Sequence, residues 1–347
     1  MKTTIQKDST EKFALSFEYE NEGKTTVFFD HKDAEQVIKD LKEAVLWIEE
    51  NLPKDEPEVD PIDAKIEILL ENQRVWNATS KNDERTNKLL LGTVEQTFRK
   101  LGGLYDLISI VPLKGPNEEV SYFNFCYDDD SSKLRIVLKT ASELVTSKSR
   151  KLKTFLETDS TDESIIQKAS DGFAKEIVAE VLMDLRNNAG TVSRMNFAAV
   201  KNDSPEVSNY ELFYIKFIEL SGIVHRQTLK SGINWIVASP DMISLMEIPS
   251  FYNLNYSAVG PLKKLGVMGG VWALYEYEHL GPNTILMGRK GKSDLDSGYF
   301  YCPHIGMVMP VCSDAEMCCP RPMTRYGKKL VREGAKNYLK LTVEGLE

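Results

Sequence analysis

One amphipathic run constrains this 347-residue chain more than any other. Ser160-Thr161-Asp162-Glu163 reads as a capping box. Behind it Ile166, Ala169, Phe173, Ile177, Val181 and Leu185 recur at helical spacing, and Asn187-Asn188-Ala189-Gly190 is a stop signal. A helix of about 25 residues at 1.5 Å each is roughly 38 Å long. That is enough to cross a whole domain as one strut, so the remaining elements have to be arranged around it.

The chain is long for one compact core and suits two or three lobes. No stretch approaches the roughly 20 uninterrupted apolar residues of a membrane span; the most apolar segment, Tyr210 to Val224, is broken by Glu211, Lys216 and Glu219. The N-terminus has no apolar core of a secretory signal, so synthesis in the cytoplasm is expected. Residues 1–71 hold 19 Asp/Glu against 9 Lys/Arg, while the remainder holds 33 against 34. Acidity is thus confined to a leader, and no generally basic nucleic-acid surface is described. Five cysteines, an odd number without a signal peptide, argue for reduced thiols.

The leader reads as strand, turn, strand and helix. Phe13, Leu15, Phe17 and Tyr19 alternate, Asn21-Glu22-Gly23 turns, and Thr25 to Asp30 returns. A helix is expected from about Lys32 to Asn51, before the linker PKDEPEVDP. A short helix, Ala64 to Glu71, should then lead into a polar, extended arm through Asn87. A second helix is expected over Leu89–Leu101, ended by Gly102-Gly103, followed by a strand through Pro116. Residues 120–139 read as a long hairpin turning at Asp128-Asp129-Asp130. From Leu212 onward strands should alternate with short helices, including a strand over Gly232–Ser239, a helix opened by Pro240 and a strand over Gly269–Glu278.

Chemistry-bearing residues form no recognisable site. The three adjacent aspartates match no calcium loop and read as a solvated turn. Gly291-Lys292-Ser293 ends like a phosphate-binding loop, but the position five before Gly291 is Leu286 and no helix is evident behind it. Cys302, His304, Cys312, Cys318 and Cys319 lack the paired spacing of structural zinc, so buried or half-buried thiols are expected. His31, His225, His279 and His304 are scattered without a nearby nucleophile. No catalytic residue, cofactor or metal is assigned.

The run from Thr284 to Gly327 carries G-x-K-G (Gly288–Gly291), D-x-G-x-x-Y-x-P (Asp296–Pro303) and T-R-Y-G (Thr324–Gly327) in order. With Leu69–Thr79, Asp106–Pro116, Lys148–Lys153 and Ile233–Met242, it resembles the major capsid proteins of tailed bacteriophages of the T-even type. The resemblance implies an α+β, HK97-like capsid fold. Its parts would be an acidic scaffold-like leader (1–71), an N-terminal arm (72–104), and a peripheral domain with a long spine helix (105–119 and 149–204). An extended loop (120–148), an axial domain (205–320) and a return to the peripheral domain (321–347) would complete it. The loop is shorter than usual for the type, and no large insertion domain is seen.

The function so implied is structural: hexamers and pentamers tiling an icosahedral head around double-stranded DNA bound without sequence preference. A maturation protease, scaffold, vertex and portal proteins are the implied partners, and no membrane is involved. Leader removal after a Leu/Ile-x-Glu tripeptide is implied, with Glu71 preferred because the acidity ends there, ahead of Glu50 and Glu43. Alternatives are the vertex protein of the same phage type, a cellular nanocompartment shell, or a metal-dependent enzyme using the Cys/His cluster.

Overall fold

The computed structural model describes residues 2–7, 13–19, 23–29, 60–80, 82–127, 136–153, 161–248, 260–308 and 322–346. They fall into two compact units, Met1–Val59 and Asp60–Glu347. In the first, β1 (Lys2–Lys7), β2 (Phe13–Tyr19) and β3 (Gly23–Phe29) form an antiparallel meander in that order. β2 and β3 are the expected pair, and β1 is an additional strand. The helix expected at 32–51 lies outside the described residues.

The second unit opens with α1 (Pro61–Thr79), α2 (Glu84–Lys100) and α3 (Gly102–Leu107), then the short β4 (Ser109–Ile110). β5 (Asn117–Tyr127) and β6 (Ile136–Thr146) form a hairpin continued by β7 (Lys148–Lys151). The long α4 (Asp162–Asn187) follows, then β8 (Thr191–Asn196), α5 (Phe197–Asp203) and α6 (Asn209–Thr228). Next come β9 (Trp235–Ala238), α7 (Pro240–Leu245), β10 (Lys263–Met268), β11 (Trp272–Glu276) and β12 (Thr284–Gly288). β13 (Tyr299–Val308), β14 (Met323–Leu330) and β15 (Tyr338–Glu344) complete it.

Two sheets organise this unit. One has six strands in the order β10-β11-β9-β12-β15-β8, the other four in the order β4-β13-β14-β7. The six-stranded sheet is covered on both faces, which is why β9 and β12 read as unbroken apolar runs instead of alternating ones. Trp235, Val237 and Leu286 face the core shared with α4, whereas Ile236, Ala238, Ile285 and Met287 face Phe213, Phe217 and Leu220 of α6.

The strut itself is capped by Thr161, whose side chain accepts from the Ser164 backbone N–H, so the cap sits one residue later than the sequence suggests. Its buried stripe is Ile165, Ala169, Phe173, Ile177, Val181 and Leu185, with Ile166 only half-buried. A second stripe carries carboxylates at successive turns, Glu176, Glu180 and Asp184. Glu176 accepts from the Lys153 N–H (2.9 and 3.0 Å), Glu180 pairs with Arg150 (3.1 Å) and Lys328 (2.6 Å), and Asp184 takes Lys328 (2.6 Å) and the Tyr299 hydroxyl (2.7 Å). Tyr326 also donates to Glu180. The rod is thus bonded to β7, β13 and β14 as well as packed.

Three expectations fail for physical reasons. The supposed extended run through Asn87 is helical over 71–79, the second half of α1, and again from Glu84, where α2 begins ahead of the helix expected at Leu89. Its buried face includes Gln73 and Asn77, so apolar periodicity is lost. Gln73 replaces it by pairing like a strand neighbour with Met307, donating to the carbonyl at 2.7 Å and accepting from the N–H at 2.9 Å. Asn72 likewise donates to the carbonyls of Leu113 (2.7 Å) and His304 (2.9 Å). Gly102-Gly103 does follow the end of α2, but it starts α3 instead of a strand. Finally, 209–228 is one 20-residue helix with a Ser208/Glu211 capping box, where the expected alternation of strands and short helices should already have begun at Leu212.

Gly298 and Gly334 meet where β13 begins. A Cβ on Gly298 would lie 2.4 Å from the Gly334 carbonyl oxygen, and one on Gly334 would lie 2.1 Å from that of Gly298. Backbone cannot yield as a side chain does, so Gly298→Ala is expected to destabilise the unit by about 1–3 kcal/mol or more. A lowered urea midpoint with unchanged m-value is the measurement that checks it.

Candidate assembly surface

The β5–β6 hairpin is paired along its length, with Phe123 opposite Thr140, Phe125 opposite Leu138 and Tyr127 opposite Ile136. Alternation sorts its side chains onto two faces. Val120, Tyr122 and Val145 share one face and are buried with Leu113, Phe300, Cys302 and Val331. The opposite face carries Phe123, Phe125, Tyr127, Ile136, Leu138 and Leu144. Tyr127, Ile136, Leu138 and Leu144 are 48, 55, 53 and 60 % exposed. Apolar residues directly opposite one another on a solvent-facing ribbon form a patch, and such patches mark contact surfaces. The turn with Asp128-Asp129-Asp130 lies outside the described residues.

At its base the hairpin is tied down by Glu143, which takes the Tyr122 hydroxyl (2.8 Å), the Arg332 N–H (2.8 Å) and Lys329 (2.7 Å). Burial pushes the Glu143 carboxyl up, but these donors outweigh it and hold the group below its usual value.

Beside the hairpin, the glycine-rich motif residues close around a buried ionic node. Asp296 accepts from Lys230 (2.7 Å) and from Arg289 in a two-pronged pair (2.8 Å for one prong). Gly291 permits the wrap, since a Cβ there would sit 1.9 Å from the Asp296 carboxylate. Burial pushes the Asp296 carboxyl up, yet Arg289 and Lys230 together hold it below the ordinary carboxylate range, while burial pulls Lys230 down. Leu229, left-handed at φ 55°, ends α6 and delivers Lys230 to the node. The sequence offers Gly288, Gly291 and Asp296 as motif residues of the capsid resemblance and does not single out Lys230. The available signal was a charged pair, Arg289 and Asp296, set between two apolar strands.

The other flagged residues stay apart. Gly291-Lys292-Ser293 forms a tight turn (Gly291 N–H to Asp296 carbonyl, 2.8 Å) leading to β13, with no helix behind it. Among the described residues no group of three or more His, Cys, Asp and Glu side chains could hold a metal ion. Cys312, Cys318 and Cys319 lie outside the described residues. His304 shares a hydrogen bond with Ser147 (3.2 Å), and burial with the nearby Arg325 lowers its pKa. Burial pushes the Cys302 thiol up to about 12. At pH 8 only about one part in ten thousand would be thiolate, so Cys302 should resist alkylation until the chain is unfolded, as peptide-level mass spectrometry can check. Glu71 sits inside α1, paired with Arg74 at 3.2 Å, just after the buried Leu69 and Leu70. Glu43 and Glu50 lie outside the described residues.

A search of curated protein sequences gives no significant match. Solved structures similar in fold include the virus-like particle from Pyrococcus furiosus, at 9% identity over 73% of this chain and 97% of that one, TM-score 0.44. Others are the capsid of cyanophage P-SCSP1u (10% identity, 69% and 87% covered, TM-score 0.40) and the SrpI encapsulin of Synechococcus elongatus (12% identity, 71% and 88% covered, TM-score 0.41). The assignment does not rest on these. Residues 161–339, from the cap of the spine helix to the start of the last strand, match the family model of the major capsid protein Gp23. That match spans just over half of the sequence, and the chain belongs to the Gp23 family of major capsid proteins, structural components of a viral shell.

Proposed function

We propose that copies of this chain form hexameric and pentameric capsomers in which the apolar face of the β5–β6 hairpin seats on the neighbouring copy. The exposed Tyr127, Ile136 and Leu138, with the half-buried Phe125 opposite Leu138, carry this reading. A two-stranded ribbon is marginal in water by itself, and covering its apolar face completes it. Such a contact is heterologous, one surface of a copy against a different surface of the next, and closes into rings when the rotation allows. Each contact can be modest, because a shell multiplies it. Electron microscopy of the overexpressed chain should show shells, tubes or sheets; a stable monomer at high concentration would count against the reading.

Assembly in the host cytoplasm around a scaffold and a portal, with a separate vertex protein and DNA enclosed without sequence reading, completes the proposal. Residues 1–50 act as a removable leader, with 12 Asp/Glu against 7 Lys/Arg. Of the three tripeptides, the one ending at Glu71 would require the protease to unwind α1, because Leu69 is fully buried. We therefore place cleavage upstream of Asp60, after Glu50 ahead of Glu43. Intact-mass analysis of mature particles should give a chain starting at Asn51; a start at Asn72 would contradict this placement.

A further inference from the structure

Beyond its base, the hairpin meets the body of the unit through Phe123 and Asn124. The Phe123 N–H donates to the Leu295 carbonyl at 3.2 Å, and the Phe123 carbonyl accepts from the Lys230 ammonium at 2.7 Å. The same ammonium lies 4.5 Å from the centre of the Phe123 ring and 2.7 Å from Asp296. Its side chain is only 3 % exposed. Asn124 adds a longer bond to the Arg332 carbonyl, 3.3 Å. Farther out, the exposed Tyr127, Ile136 and Leu138 and the half-buried Phe125 form the apolar face.

We propose that Lys230 is a positioning residue for assembly: held by Asp296, it brackets Phe123 and so sets the angle at which the hairpin leaves the body. The inference rests on the hairpin being the contact between copies. Glu143 fixes the ribbon at its base; farther out the Phe123 N–H and Asn124 bonds are single and longer (3.2 and 3.3 Å), and Lys230 adds the short 2.7 Å bond and the ring contact that limit pivoting there. Several features make the bracket stiff. Arg289 holds the other side of the same carboxylate, with its own Nε–H donating to Ser231 at 2.8 Å. Lys230 meets Phe123 through carbonyl and ring at once, so a displaced strand loses both interactions together. A buried ammonium has no water to replace them. Since shell curvature is set by the angle between neighbouring copies, fixing the hairpin angle fixes the size of the closed particle.

The test compares Lys230→Met, which keeps the aliphatic stem but removes the charge, with the unaltered full-length chain. In Lys230→Met, hydrogen exchange in peptides covering 121–127 should accelerate by roughly tenfold or more, while β9 peptides keep their protection. Assembly should continue but yield mixed diameters or tubes instead of one closed size. Unchanged exchange, or faster exchange with uniform particles, would overturn the proposal. If Lys230→Met does not fold, native-state exchange on the unaltered chain decides: residues 121–127 and 289–298 should open as one unit, and opening rates about tenfold apart would reject the bracket. Leu138→Glu separates the two readings. If it assembles normally the hairpin contact is wrong, while the exchange result still decides whether Lys230 holds Phe123.

Discussion

Asp296→Asn is expected to lower the stability of the Asp60–Glu347 unit by about 3–5 kcal/mol, the range for removing one member of a buried ion pair. The reason is what stays behind. Lys230 and Arg289 each point at this carboxylate, and both are buried. An amide of the same shape offers one acceptor to two cations and no charge. The flanking loop cannot relax to admit water, because Gly291 is already closed over the carboxylate and its N–H is bonded to the Asp296 carbonyl at 2.8 Å. A loss of this size is a large fraction of ordinary domain stability, so soluble yield should fall as well. Urea unfolding, in a background that does not assemble, is the measurement. The same residue gives the unit an acid limit. Its folded pKa is depressed, so its contribution is fully present above the ordinary carboxylate value of about 4 and is lost as pH falls through the folded value. Asp296→Asn should therefore flatten the acid side of the stability profile and leave the neutral region uniformly lower.

Leu138→Glu is expected to have the opposite signature: full stability and no shells. Leu138 is more than half exposed in the single chain, so a charge there costs little in folding. In the proposed contact it would be buried, forfeiting about 1.5–3 kcal/mol of apolar burial and adding the desolvation of an unpaired carboxylate. Every 1.4 kcal/mol is about tenfold in each contact, and in a closed shell the loss recurs at every copy. Particle yield should fall below detection while the unfolding midpoint stays within about 0.5 kcal/mol of the unaltered chain. Size-exclusion chromatography with electron microscopy reads the first, and urea titration the second. Together the two variants separate residues that hold the block together from residues that join blocks.

Much of this fold is legible in the sequence where burial is apolar and periodic. The spine helix announces itself by Phe173, Ile177, Val181 and Leu185, and the two-sided burial of β9 and β12 shows as unbroken apolar runs. The hairpin is legible from its strands, although they extend to Asn117 and Thr146 instead of ending at 120 and 139. What failed was burial achieved by polar groups. α1 places Gln73 and Asn77 inside, and only coordinates reveal that Met307 supplies a partner 234 residues away. The Lys230–Asp296–Arg289 node is only partly visible for the same reason: Arg289 and Asp296 stand between two apolar strands, but a buried charge looks like a surface charge until its partner is located. The apolar face of the hairpin was in plain view as letters, but alternation alone could not say which face the body covers.

The central claim is that the hairpin is the joint between copies. A cryo-electron microscopy map of assembled particles tests it most directly. The account requires Phe125, Tyr127, Ile136 and Leu138 of every copy to be buried against a neighbouring copy, with Lys230 still bonded to the Phe123 carbonyl. Particles in which those four side chains face solvent, with the copies joined through other surfaces, would contradict it.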